Sequence, residues 1–306
     1  MIVMEALQWA NHKLKEHRDT DEETGHQLDS PMLDVEVLLA SALGVSKSWL
    51  FTHFDHELRP HEQERFERMI ERRILHEPVA YIVGEKEFYK RMFQVNRFTL
   101  IPRSATETLV EEALRIAKIP NSSTTWFADI GTGSGAIAVT LAAESGLPVI
   151  ATDINNNTLA LASQNAIQHS MESHIVFQQG DLLQPILEVL KCISQTNKPV
   201  PQHIILCANL PYLTTFQWQT AQSEMRDYEP CEALEAGMDG LDAYWKFFRQ
   251  IFRARLELPL SLTTLIEIDP GQIGRIIPLI QHDFPNASPR ILKDLDGFDR
   301  VVVTEL

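Results

Sequence analysis

The sequence predicts an α/β protein: a mostly parallel sheet with helices on both faces, preceded by a smaller helical region. Two observations carry this. From about residue 105 short apolar runs recur, "TTWFADI", "PVIATDI", "HIVFQQGD", "HIILCANL", "TTLIEID" and "RVVVTEL", with helical stretches such as "GAIAVTLAAES", "NTLALASQNAIQHS" and "DAYWKFFRQIFRARLEL" between them. Strands alternating with helices build a parallel sheet, because a parallel connection needs a crossover. In addition, 306 residues exceed one ordinary small domain, so two are expected.

Residues 1–90 read as a small helical bundle. Ser30-Pro31 before "MLDVEVLLASALG" supplies a capping residue, a proline at the first helical position and a terminating Gly44. "RPHEQERFERMIERRILHE" is charged on one face and places Phe66, Met69, Ile70 and Ile74 at helical spacing on the other. "EPVAYIVGEKEFYKRMFQVNRFTLIPR" alternates and carries many aromatics, so a short hairpin is expected to join the two regions, with 91–104 as the linker and 105–306 as the α/β domain.

Composition narrows the function classes. With 44% hydrophobic and 23% charged residues the chain is globular. It holds no apolar run near the ~18–20 residues of a membrane span. The N-terminus lacks a basic segment followed by an apolar one, so no secretory signal is expected. Cys192, Cys207 and Cys231 form no CxxC pair, which suits a reducing cytoplasm and argues against structural zinc. The net charge of −15 disfavours non-specific nucleic-acid binding, which needs Lys and Arg on phosphates, and would steer a basic partner favourably. Seven of the eleven histidines precede residue 80, without HxxxH or HExxH spacing, and read as solvated helix faces rather than metal ligands.

The motifs fall where strands end, the edge at which such sheets bind ligands. In "ADIGTGSGAIAV" Asp129 closes a strand, and Gly131, Gly133 and Gly135 turn directly into a helix whose N-terminal N–H groups are free. The spacing is GxGxG, not the GxGxxG of dinucleotide binders, and no GK[ST] of a phosphate-cradling loop follows. The next strand ends in Asp153, eighteen residues after Gly135, and a carboxylate there can accept both hydroxyls of a ribose. That alone fits a nicotinamide dinucleotide as well as an adenosyl ligand. "QQGDLL" then places Asp181 and Leu182 beside the expected adenine, one to receive its amino group and the other to pack on its ring.

Glycine turn, ribose acid and adenine neighbour, in this order over residues 105–306, resemble the class I S-adenosylmethionine-dependent methyltransferases. The resemblance implies a Rossmann-like seven-stranded sheet with its last strand inserted antiparallel, "TTLIEID" and "RVVVTEL" being the final pair. It implies S-adenosylmethionine as cofactor, S-adenosylhomocysteine as product, and Asp129, Gly131, Thr132, Gly133, Ser134, Gly135, Asp153, Asp181, Leu182 and Asn209 as cofactor-binding residues.

The fourth strand delivers Asn209-Leu210-Pro211-Tyr212 to the same edge. An amide or aromatic amine is a poor nucleophile because its lone pair is delocalised. The Asn209 side-chain oxygen and the Leu210 carbonyl can accept its N–H bonds and aim the nitrogen in line with a sulfonium methyl group. Pro211 stiffens the loop, and Tyr212 would offer a flat wall to the planar acceptor. The stretch resembles the [ND]PP[YFW] motif of amino-methyltransferases, with Leu210 where many members have proline. It is shared with ribosomal RNA adenine dimethyltransferases, so it does not choose the substrate.

"RRILHEPVAYIVGEKEFY", "LIPRSATETLVEEAL", "YEPCEALEAGMDGLDAYWKFF" and "DLDGFDRVVV" resemble, in order and spacing, the protein-(glutamine-N5) methyltransferases of peptide-chain release factors, and "LDVEVLLASALGVSKSWLFTH" extends the likeness to nearly the whole chain. The sequence departs at Ser104-Ala105, where the family reads proline and an acid, and at Leu210. The resemblance implies that the acceptor is the glutamine of the Gly-Gly-Gln loop and that the helical domain docks the release factor. A cytoplasmic monomer without membrane or nucleic-acid partners is expected. The alternatives at this point are a ribosomal-protein glutamine or nucleic-acid amino-methyltransferase, and a cofactor-binding protein without catalysis.

Overall fold

The structure is a computed structural model that describes residues 1–18, 30–118, 124–196 and 199–306. The chain divides into two compact units, Met1–Glu85 with Ala221–Glu229, and Lys86–Thr220 with Pro230–Leu306.

The first unit is helical. Its three longer helices, Val3–Arg18, Pro31–Leu43 and Pro60–Ile74, bury one apolar stripe each, among them Leu7, Leu14, Leu38, Leu39, Phe66 and Ile70. Pro31 stands in the first helical turn and Gly44 ends that helix in the left-handed region, as expected, while the Ser30 side chain makes no capping bond. Arg73 breaks the amphipathic pattern: it lies on the buried side at 4% exposure. Its Nε donates to Asp34 Oδ2 at 2.8 Å, its terminal nitrogens to Glu224 Oε1 and to the Glu77 carbonyl. The Tyr228 hydroxyl donates to the Leu75 carbonyl at 2.6 Å. The segment Ala221–Glu229, with its helix Ser223–Tyr228, is therefore part of this unit although it is distant in sequence.

A two-stranded hairpin, β1 (Glu85–Phe88) and β2 (Arg91–Gln94), turns at Tyr89 and Lys90. Both have positive φ, 50° and 61°, the mirror-image turn that matches strand twist. The hairpin is shorter than the alternating stretch that predicts it, because Val79–Val83 is a short helix ended by left-handed Gly84.

The sheet comprises β3 (Thr125–Ile130), β4 (Val149–Asp153), β5 (Ile175–Gln179), β6 (His203–Ala208), β7 (Ser261–Glu267), β8 (Arg290–Lys293) and β9 (Asp299–Glu305). Their spatial order is β5-β4-β3-β6-β7-β9-β8; β3 to β7 run parallel, and β9 lies antiparallel between β7 and β8. This is the class I methyltransferase fold. The apolar runs were legible as strands because parallel strands are covered on both faces; β8, "RILK", was not expected, since its four residues are nowhere fully buried.

Two apolar layers flank the sheet. On one, the helix Asp242–Arg253 buries Tyr244, Phe247, Phe248 and Ile251 at helical spacing, beside Ile276 and Ile280 of the helix Ile273–Asp283. Each fully buried phenylalanine contributes about 1.5–3 kcal/mol, which fixes the rotation of the helix and so the direction of Ala243 and Lys246 on its other side. On the other layer, the helices Glu107–Ala117 and Ala136–Ser145 pack with Phe88 and Phe93 of the hairpin.

Candidate active site

Register fixes what meets at the sheet edge. Ile130 pairs with Thr152 and with Ala208, Asp153 pairs with Gln179, and Ala208 pairs with Ile266. Five successive parallel strands thus end at one edge and deliver Gly131, Asp153, Gly180-Asp181, Asn209 and Glu267. A cavity of about 380 Å³ opens there, within the usual size of a small-molecule site.

Of the residues singled out from sequence, Gly131, Thr132, Gly133, Ser134, Asp153, Asp181, Leu182, Asn209, Leu210 and Pro211 line this cavity. Gly131 and Gly133 have φ of 71° and 56°, and a Cβ on Gly133 would meet nothing nearer than the Gly131 carbonyl at 4.0 Å. The space beside Gly133 is thus open to a ligand, and it is the left-handed backbone that calls for glycine there. Asp153 accepts the Gly133 N–H at Oδ2 (3.1 Å) and the Asn155 N–H at Oδ1 (3.0 Å). A carboxylate offers about four acceptor positions, so acceptor capacity remains for a further donor beside the backbone N–H groups. Burial raises its pKa, against the pull of these backbone bonds. The acceptor pair, the open glycine turn and the apolar Leu182 and Phe98 fit the ribose, aminoacyl end and ring of an adenosyl cofactor.

Three residues do something other than sequence predicts. Asp129 is fully buried beneath the turn and absent from the cavity wall; its Oδ2 accepts the Thr132 hydroxyl at 2.6 Å and the Ala138 N–H at 3.1 Å, so it shapes the turn from below. Burial pushes its carboxyl up to about 7. Gly135 also stands off the cavity, with a Cβ position 3.1 Å from Ala162 Cβ, and lets the helix Ala136–Ser145 approach the helix Asn156–Gln168 closely. Tyr212 does not line the cavity. Its ring packs on the core and its hydroxyl donates to Glu267 Oε1 at 3.3 Å. Asp181 lines the cavity as expected, but Oδ1 accepts from Lys246 Nζ and Oδ2 from Gln250 Nε2, both at 2.9 Å.

The Asn209 loop is held from several sides. Asn209 Nδ2 donates to Thr106 Oγ1 at 3.1 Å, leaving Oδ1 as the end of the amide not engaged there. The buried Tyr244 hydroxyl bonds the Leu210 backbone and donates to the Glu267 carbonyl. Gln272 Nε2 donates to the Tyr212 carbonyl at 2.8 Å and the Gly240 carbonyl at 2.9 Å, stapling together the two ends of the long segment that follows the loop. Thr106, Glu267, Arg103 and Lys246 were not picked out from sequence. Glu267 could have been, since it ends a strand as Asp153 and Asn209 do.

Glycine turn, paired acceptors at the second strand end and an amide at the fourth, on this sheet, define a methyltransferase of the class I type. Residues 105–199 match the model of the methyltransferase small domain, and residues 5–84 that of the PrmC N-terminal domain. Curated relatives named release factor glutamine methyltransferase align along the chain. That of Bacillus anthracis is 32% identical over 100% of both chains. That of Xylella fastidiosa (strain 9a5c) is 38% identical over 89% of this chain and 92% of its own, and that of Bacillus subtilis (strain 168) 33% identical over 98% and 96%. The chain belongs to the release factor glutamine methyltransferase family.

Proposed function

We propose that the protein transfers a methyl group from S-adenosylmethionine to the side-chain amide nitrogen (N5) of the glutamine in the Gly-Gly-Gln loop of peptide-chain release factors. The observation that carries this is the Asn209 amide, at the cavity wall beside Leu210 and Pro211, tied through its NH₂ to Thr106 so that Oδ1 is the end left to accept. When bound, S-adenosylmethionine supplies an electrophilic methyl group on sulfonium.

The chain supplies position. Asp153 holds two ribose hydroxyls, Gly131 to Ser134 let the backbone close on the aminoacyl end, and Leu182 packs on the adenine. Asp181 accepts the adenine amino group in the acceptor capacity that Lys246 and Gln250 leave. Asn209 Oδ1 and the Leu210 carbonyl accept the two N–H bonds of the glutamine amide and orient its lone pair; the nitrogen takes the methyl group as the sulfonium bond breaks, and its extra proton is then lost to water. Pro211 fixes the loop, and Tyr212 supports it from the core side. Residues 1–90 dock the release factor, 91–104 link, and 105–306 carry out the transfer. The protein acts as a monomer in the cytoplasm; among the described residues no helix is long and apolar enough to cross a membrane.

The test mixes the protein with methyl-labelled S-adenosylmethionine and a release factor, in parallel with the factor's Gly-Gly-Gln variant carrying Gln→Ala. Label on the native factor alone supports the reading. Label on both, or on neither while the cofactor still binds, overturns it and turns attention to ribosomal-protein or nucleic-acid acceptors.

A further inference from the structure

Resting on the cofactor reading above, we infer that Gln250 is a positioning residue for the adenine: its one side-chain amide aims Asp181 and fixes Leu182. Both residues stand just beyond the end of β5, and both are awkward to hold there. A carboxylate turns easily about its last bond. Leu182 has φ of 52°, in the left-handed region that costs a residue with a side chain about 1–2 kcal/mol.

Gln250 answers both difficulties. It lies on the helix Asp242–Arg253, whose rotation is fixed by the buried Tyr244, Phe247, Phe248 and Ile251. Its Nε2 donates to Asp181 Oδ2 and its Oε1 accepts the Leu183 N–H, both at 2.9 Å. A backbone N–H can only donate and an ionised carboxylate can only accept, so each end of the amide meets its complement and the amide cannot turn over. One turn earlier on the same helix, Lys246 Nζ donates to Asp181 Oδ1 at 2.9 Å. Asp181 is thus anchored at both oxygens, which fixes its plane, and acceptor capacity remains for a donor in the cavity that it lines. The Lys246 side chain is 59% exposed, so water competes for that anchor, whereas the Gln250 bond is partly buried. The peptide unit between Leu182 and Leu183 is gripped at both ends. Its carbonyl accepts the Thr152 hydroxyl at 3.4 Å, and its N–H meets Gln250. That grip sets ψ of the strained Leu182. Asp181 and Gln250 are 69 residues apart, so no local pattern announces the pairing.

On this reading Asp181 takes the 6-amino group of adenine and Leu182 covers the ring. Gln250 should therefore govern how well the protein tells adenine from a purine without that amino group. Calorimetry gives the Kd for S-adenosylhomocysteine and for its analogue with hydrogen in place of the 6-amino group. The wild type should prefer the amino form at least about tenfold, the worth of one hydrogen bond to a charged acceptor. Asp181→Ala should abolish the preference. Gln250→Met, similar in length and without either bond, should cut it to about threefold or less, and should weaken the analogue about fivefold as Leu182 loosens. Added to Asp181→Ala, Gln250→Met should leave the ratio of the two constants unchanged, because no carboxylate remains to aim.

A purely structural Gln250 would weaken both ligands alike and leave their ratio intact. Full preference in Gln250→Met, with Asp181→Ala having lost it, would therefore overturn this inference and leave the cofactor reading standing. Equal affinity of the wild type for the two ligands would remove Asp181 from the adenine, and the inference with it. Should Gln250→Met fail to fold, Gln250→Ala, the better helix former, decides on the same ratio.

Discussion

Gly240→Ala should disable the staple that closes the segment after the Asn209 loop. Gly240 has φ of 71°, and a Cβ built on it would lie 2.2 Å from the Tyr212 carbonyl oxygen and 2.8 Å from Gln272 Nε2. The left-handed conformation costs a non-glycine residue about 1–2 kcal/mol. The clash is with backbone, so it can be relieved only by separating the segment ends, which removes both Gln272 bonds at about 1 kcal/mol each. The total is about 3–4 kcal/mol, or roughly a 10 °C fall in melting temperature for a unit of this size. Scanning calorimetry on Gly240→Ala reads it directly, with Gly274→Ala as the control. Gly274 lies in the helix Ile273–Asp283 and its Cβ position has no neighbour within 4 Å, so alanine there should hold or raise the melting temperature. Tyr212 moves with its carbonyl, so kcat should fall as well. A melting shift below about 3 °C for Gly240→Ala would refute the staple.

Other expectations are independent of that one. Asp153→Ala should raise the Kd for S-adenosylhomocysteine at least about tenfold, the worth of charge-assisted bonds to two hydroxyls, with kcat at saturating cofactor much less affected; an unchanged Kd by calorimetry would remove Asp153 from the ribose. Asp129, pushed up to about 7 by burial, binds its proton more tightly folded than unfolded. Its stabilising contribution is therefore complete below about pH 4 and is lost as pH rises to about 7, a change of a few kcal/mol; Asp129→Asn should flatten the fall in unfolding free energy between about pH 4 and 7. Arg73→Ala removes a buried cation from between Asp34 and Glu224 at a cost of about 3 kcal/mol. Its segment Ala221–Glu229 should loosen, and trypsin should cut after Arg226 faster than in the wild type.

Periodicity and turn chemistry made most of the architecture legible. Short apolar runs gave β3, β4, β5, β6, β7 and β9, and the strand-end rule placed Asp153, Asp181 and Asn209 at one cavity. The rule worked because parallel strands must all end at the same edge. The short edge strand β8 escaped, since "RILK" carries a charge at each end and no buried residue. Tyr212 was read as a wall of the site because its sequence neighbours are. What turns it to the core is Glu267, 55 residues further along the chain, and no local pattern encodes that meeting. Asp129 closes its strand much as Asp153 does, and what separates the two is burial: the turn covers Asp129, whose Oδ2 accepts from Thr132 and Ala138. Thr106 lies in plain view within "PRSATE", but its significance depends on a partner at position 209, 103 residues away.

The Ala221–Glu229 segment bears on how this protein can be taken apart. A gene fragment ending at residue 85 stops at the first boundary between the units, yet it would encode a bundle without the helix Ser223–Tyr228. Arg73 would keep Asp34 but lose Glu224, and the Leu75 carbonyl would lose the Tyr228 hydroxyl. The excised bundle would thus expose a guanidinium that the intact chain keeps covered. Exchange of N-terminal units between relatives calls for two coordinated grafts, one at each end of the catalytic sequence they enclose.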